Sequence, residues 1–133
     1  MKILNLDHIV LTTKNLKACI HFYTEILGIE YRENNGRHSL FWGTQKINIH
    51  SRPGEFQPAA AAPMPGSLDL CFVVEGPLEA VKEELVAKGA DIELGIVPRN
   101  GALGLMDSLY LRDPDNNLVE LSCYRCSSEL RPL

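Results

Sequence analysis

Two short stretches of the chain alternate apolar and polar side chains over strand length. Residues 6–13 read Leu-Asp-His-Ile-Val-Leu-Thr-Thr and break at Lys14-Asn15. Residues 68–74 read Leu-Asp-Leu-Cys-Phe-Val-Val and break at Gly76-Pro77. A helical period follows each. In the first, Leu16, Cys19, Ile20, Tyr23 and Leu27 share one stripe, and Gly28 ends it. In the second, Pro77 opens the helix, Leu78, Val81 and Leu85 form the stripe, and Gly89 ends it. His8 and Asp69 are 61 positions apart, as are Gly28 and Gly89. After each helix come three strand-like runs, roughly 29–32, 38–42 and 46–50, then roughly 91–97, 108–112 and 118–124. Asn34-Asn35-Gly36, Gly43-Thr44 and Asp113-Pro114-Asp115-Asn116-Asn117 supply turn chemistry between them.

The pattern predicts an internal duplication, two copies of a β-α-β-β-β module in an α+β domain. The whole chain, 1–133, reads as one domain. Module 1 covers about 4–51, a linker 52–66, module 2 about 67–124, and a short tail 125–133. The linker region holds four of the eight prolines and the run Ala59–Ala62. One helix cannot cover both faces of four strands. The expectation is a curved mixed sheet with helices on its outer face and a cleft on the other, where ligands commonly bind.

Strand parity sorts the side chains. Ile9 and Leu11, Ile47 and Ile49, Leu70 and Phe72, Leu109 and Leu111, and Val119 and Leu121 form an apolar face. The opposite face collects His8, Asn48, His50, Asp69, Tyr110, Arg112 and Glu120. A merely wet sheet face usually carries Lys, Glu, Thr and Ser. Here lysine is expected to be absent and metal-competent side chains are concentrated.

Composition narrows the function classes. With 13 Lys and Arg against 17 Asp and Glu, net charge −4, no basic cluster exists to hold nucleic acid. No apolar run approaches the ~18 residues of a membrane span. The N-terminus is interrupted at Asp7-His8 and does not read as a signal peptide. A cytoplasmic address follows as the expectation. Cys19 and Cys71 read as small buried hydrophobes, and Cys71 also shares the parity of Asp69. Cys123 and Cys126 form a lone C-x-x-C without the second pair that a structural zinc site wants.

Two such modules, with Asp7-His8-Ile9 near the start and Tyr110-Leu111-Arg112-Asp113-Pro114-Asp115 through Glu120 near the end, resemble the vicinal oxygen chelate superfamily. Its members include glyoxalase I, extradiol dioxygenases, fosfomycin-resistance thiol transferases and bleomycin-binding proteins. The resemblance covers about residues 4–124. Lys46-Ile47-Asn48-Ile49-His50 and Pro65 through Phe72 are similar to the small glyoxalase-domain-containing-5 type.

The resemblance implies one divalent ion, Mn, Fe, Ni, Zn or Mg, held by His8, Asp69 and Glu120. Asp69 stands where the metal enzymes usually carry His. Asn48 stands where glyoxalase I carries a carboxylate. One imidazole and two carboxylates form a hard set that favours Mn²⁺ or Mg²⁺. Glu120 and Tyr110 are the catalytic candidates. His50, Asn48, Arg112 and Cys71 are the substrate-binding candidates. Arg99 is a further candidate for a substrate carboxylate, though a surface ion pair is favoured for it.

The implied activity is a lyase, isomerase or dioxygenase acting on a small oxygenated substrate through bidentate chelation. The alternative is a metal-free protein that binds a drug or small ligand, as bleomycin-resistance proteins do. A homodimer is expected, with no nucleic-acid or membrane partner.

Overall fold

The computed structural model describes residues 1–125, so Cys126 of the C-x-x-C and most of the tail lie outside the described residues. The elements are β1 (His8–Thr12), α1 (Leu16–His21) continued by a π-helical turn (Phe22–Ile26), β2 (Glu30–Asn34), β3 (Arg37–Trp42), β4 (Gln45–His50), β5 (Asp69–Val73), α2 (Leu78–Ala87), β6 (Leu94–Gly101), β7 (Gly104–Arg112) and β8 (Leu118–Tyr124). The βαβββ duplication and the α+β class are therefore present. The strands form two four-stranded sheets, ordered β1-β4-β3-β2 and β5-β8-β7-β6. In each, the outer first strand runs parallel to the last, and the other pairs are antiparallel. The repeat is thus one of topology as well as of spacing.

The chain divides into two units. The first is Met1–Leu68 with Pro114–Asn116, and the second is Asp69–Asp113 with the chain from Asn117 onward. The short insertion of Pro114–Asn116 into the first unit has a local cause. Asp115 Oδ1 accepts the Lys14 backbone N–H at 3.1 Å. Gly66, at φ +81°, leaves room for the Asp115 carbonyl, which a Cβ there would meet at 2.6 Å. The flanking residues lock the turn from within the second unit. Asp113 accepts the Asn117 backbone N–H at 2.9 Å and its amide at 2.8 Å, with both residues buried. The Asp-Pro-Asp-Asn-Asn motif is therefore a self-bonded turn that buries Asp113, Asp115 and Asn117 and leaves Pro114 and Asn116 exposed.

In the first unit, Leu11, Leu40, Ile47 and Ile49 are buried with Cys19, Phe22 and Tyr23 of the first helical segment. Asn15 caps α1 by accepting the Ala18 N–H at 3.1 Å. The helix expected through Leu27 widens to π geometry, with Leu27 N–H bonded to the Phe22 carbonyl. Phe22 and Tyr23, the first residues of that turn, are both buried, their rings edge to face at 4.9 Å.

In the second unit, α2 packs on β7. Pro77 stands at its N-cap, and Gly89, at φ +84°, follows its C-cap. Leu109, Leu111, Val119 and Leu121 are buried. The expected strands at 91–97 and 108–112 are displaced. The observed β6 and β7 extend to a tight hairpin in which Gly101 pairs with Gly104. Gly101 lies against the Tyr124 hydroxyl and Met106 Sδ, where a Cβ would clash. This close packing at Gly101 is invisible to periodicity. Cys71 corrects a second expectation: it is exposed, whereas Cys19 is buried. No helix among the described residues is long and apolar enough to cross a membrane.

Candidate functional site

Each sheet carries its own polar face, and the two differ in chemistry. In the second unit, ladder register sets Glu120 of β8 opposite both Cys71 of β5 and Tyr110 of β7. Asp69 is opposite Leu118, one step along the same face, so it is a diagonal neighbour of Glu120. Arg112 shares this parity, opposite Leu118 from the other side.

The Glu120 carboxylate is held from beneath. Ser122 donates to Glu120 Oε2 at 3.2 Å, and the buried Ser108 hydroxyl lies 2.6 Å from that of Ser122. Because Ser122 has one proton and gives it to Glu120, Ser108 donates to Ser122. Cys71 Sγ is 3.3 Å from the same Ser122 oxygen. Desolvation pushes the Cys71 thiol up, its hydrogen bond with Ser122 pulls against this, and the Glu120 and Asp69 carboxylates add to the rise. Cys71 is therefore a protonated thiol at neutral pH, able to donate. Three donors thus converge, through Ser122, on one carboxylate. Ser108 and Ser122 are site residues that sequence reasoning missed, although parity puts both on the polar face.

Tyr110 is fixed differently. Its hydroxyl oxygen accepts Arg99 Nε–H at 2.8 Å. Arg99, favoured in sequence for a surface ion pair, instead positions the candidate catalytic phenol. Arg112 makes the ion pair, donating from Nε and Nη2 to Glu93 at 3.1 and 3.2 Å. That contact lowers Glu93 and raises Arg112, with the Asp69 charge adding a smaller part to the Arg112 rise.

The first unit carries the remaining candidates. His8 is half exposed, and its Nδ1 donates to Asp7 Oδ2 at 2.7 Å, which leaves Nε2 open. Register places Lys46 opposite His8, Asn48 opposite Val10 and His50 opposite Thr12. The expectation that lysine is absent from this face is thereby corrected: Lys46 begins β4 on the parity of Asn48 and His50. Asn48 Oδ1 accepts the Ser39 hydroxyl at 2.9 Å.

Asn48, His50 and Lys46 line a cavity of about 410 Å³, walled also by Arg32, Arg37, Ser39, Phe41 and Phe56. Phe56 arrives from the region read as a linker. Ser51 holds that loop by bonding Glu55 through both its backbone N–H and its hydroxyl. Phe56 then packs edge-on against the His50 ring at 5.1 Å. Desolvation lowers His50, Glu55 opposes this, and Arg37 adds to the lowering. The imidazole is therefore favoured neutral.

Among the described residues, no three or more His, Cys, Asp or Glu side chains form a group able to hold a metal ion. The individual donors nevertheless suit one in type. Glu120 is oriented by a hydroxyl, Asp69 is exposed beside it, and His8 has its outer nitrogen free with the other tied to a carboxylate.

A family and its relatives complete the assignment. The model of the Glyoxalase/Bleomycin resistance protein/Dioxygenase superfamily matches residues 5–121, and the chain belongs to that superfamily. It is 44% identical over 122 residues to virulence protein STM3117 of Salmonella typhimurium, covering 90% of this chain and 83% of that protein. The crystal structure of STM3117 matches with a TM-score of 0.90 at 43% identity, over 94% of this chain and 100% of that one. The glyoxalase domain-containing protein RDO1 of Mycosarcoma maydis is 42% identical over 125 residues, 94% of this chain and 71% of RDO1. An integron cassette protein of V. cholerae has a TM-score of 0.90 at 41% identity, over 94% of this chain and 98% of its own.

Proposed function

We propose that this chain is an enzyme of its superfamily acting on a small oxygenated substrate with one divalent ion, in a lyase, isomerase or dioxygenase reaction. The observation that carries the reading is Glu120, a mid-strand carboxylate fed by the Ser108–Ser122 hydroxyl pair and facing Tyr110 across the ladder. A half-buried mid-strand carboxylate is uncommon unless other groups partner it. Asp69 and Glu120 would supply oxygen donors for such an ion, and the resemblance implies His8 as a nitrogen donor. When bound, the ion supplies Lewis acidity toward two adjacent substrate oxygens.

The chain's own residues do the rest. Ser122 keeps the Glu120 carboxylate in one orientation. Arg99 fixes the Tyr110 oxygen, so that its proton is presented from one place. The Cys71 thiol and Arg112 flank the same face as substrate contacts. Asn48 and His50 keep a binding role in the first unit's cavity. A panel of divalent metals against α-hydroxy carbonyl, catechol and thiol-adduct substrates tests the reading. Turnover that Glu120→Gln abolishes supports it, and a blank panel overturns it.

The second reading, a metal-free small-ligand binder, is favoured by the aromatic cavity of the first unit. Tight ligand binding beside a blank activity panel selects it. The open ladder edges of β1, β2, β5 and β6 support a homodimer, since such edges are usually managed by pairing or cover. Sedimentation giving only a single-chain species refutes the dimer.

A further inference from the structure

The first unit's cavity has more positive charge than its surroundings balance. Arg32, Arg37 and Lys46 line it, and Glu33 is the one carboxylate in the wall among the described residues. Arg32 is committed, donating to Glu30 at 3.0 Å. Arg37 and Lys46 have no carboxylate partner among the described residues. Glu55, the nearby loop acid, is occupied by Ser51 and interacts with His50 and Arg52.

Arg37 is also held in place. Its guanidinium lies 4.1 Å from the centroid of the Phe56 ring. Arg32 is likewise 4.1 Å from the Phe41 centroid, and Lys46 Nζ is 5.8 Å from the same ring. Ring contact of this kind restrains a guanidinium while leaving its in-plane N–H groups able to donate. Asn48 adds neutral donors. Its oxygen is engaged by Ser39, and its amide nitrogen has no partner among the described residues. The cavity thus offers two uncompensated cations, an amide donor and two aromatic walls in about 410 Å³. That volume lies within the range of small-molecule pockets.

We propose that this cavity binds a small organic anion, a carboxylate on a planar or apolar body, with the acid group between Arg37, Lys46 and Asn48 and the body against Phe41 and Phe56. Lys46 stands two residues before Asn48 on β4, and Arg37 two residues before Ser39, the residue opposite Asn48, so the two cations flank the amide from opposite ends. Arg37 supplies a planar fork, Lys46 a point charge and Asn48 a directional donor, which together suit a carboxylate. The aromatic walls then select for carbon attached to it. This assignment requires nothing of the second unit's chemistry, since charge and hydrogen bonding alone recognise the ligand.

The test is calorimetric titration of chelator-treated protein with benzoate, benzyl alcohol and inorganic phosphate. Benzoate should bind, more weakly as salt rises. Benzyl alcohol, of nearly the same shape without the charge, should bind at least about tenfold more weakly, as should benzoate to Lys46→Met and to Arg37→Met. Lys46→Arg keeps the charge and should retain most of the binding. Circular dichroism and melting curves establish that each variant is folded. The proposal is overturned if folded Lys46→Met and Arg37→Met bind benzoate as wild type does, or if benzyl alcohol binds as tightly as benzoate. Phosphate binding more tightly than benzoate overturns the assignment of an organic body. Because the titration is metal-free, its failure leaves the second unit's metal reading standing, and loss of metal from Glu120→Gln leaves the anion site untouched.

Discussion

The two modules share a strand order and a 61-residue offset, yet their polar faces have opposite sign. On the first unit the face gathers Arg32, Arg37 and Lys46 with two aromatic rings. On the second it gathers Asp69 and Glu120 with hydroxyls, a thiol and a phenol, and its Arg112 is paired with Glu93. The buried faces are both apolar, leucine and isoleucine with Phe22 and Tyr23 in the first unit and leucine with Val119 and Met106 in the second. Duplication thus fixes which positions face outward on each sheet, and the residues at those positions set what each half does. The neighbours reinforce the division. Ser108 and Ser122 orient an anion in the second unit, while Phe41 and Phe56 restrain cations in the first.

The division can be broken most severely at the phenol. Tyr110→Phe removes one hydroxyl at a site where Arg99 holds it, and should leave fold and metal intact. Turnover should fall roughly 10²-fold or more, mainly in kcat, because a group acting on developing charge matters most in the transition state. A change confined to KM would move Tyr110 to simple binding.

Ser122→Ala should have a smaller effect. It frees the Glu120 carboxylate and strands the buried Ser108 hydroxyl, which costs about 1–3 kcal/mol of stability by chemical denaturation. Activity should fall by about tenfold, with rescue by Ser122→Thr. A folded Ser122→Ala with wild-type kcat would show that Glu120 needs no orientation.

The smallest expected effect is electrostatic and belongs to the first unit. His50 is lowered, so its neutral form is favoured in the fold, and the stability this contributes is full above its ordinary value near 6.5 and is lost as pH falls through the lowered value. Around it stand the Glu55 carboxylate, Arg37 and the Phe56 ring, with Thr12 opposite on β1. Glu55 is itself held low, chiefly by Ser51, and stays ionised through this window. On protonation His50 joins Arg37 and Lys46 as a third cation. Benzoate affinity should therefore rise a few-fold as pH drops through that value, and His50→Gln should flatten the rise. An unchanged slope in His50→Gln would remove His50 from the anion site.

Much of this division can be read from the sequence, but unevenly. The modules follow from spacing, and parity alone gathers Asp69, Tyr110, Arg112 and Glu120 on one face of the second sheet. The Asp113–Asn117 turn is recognisable from its chemistry, although its burial and the attachment of Asp115 to Lys14 depend on long-range packing. The cationic cavity is legible only when β2 and β3 are sorted by parity, which sets Arg32, Arg37, Ser39 and Phe41 on the face of Asn48. Lys46 is overlooked because it stands at the start of its strand. Phe56 has no local signal, since a proline-rich loop returns it to His50 and Arg37. The contacts of Arg99 with Tyr110 and of Arg112 with Glu93 are not legible, because parity gives a face and not a partner.

The claim that the acidic face is the chemical half is tested most directly by metal content. Wild type and Glu120→Gln, purified without a histidine tag or added metal, are compared by elemental analysis. The account predicts about one divalent ion per chain in wild type and almost none in the variant. Equal occupancy in two folded proteins would contradict it.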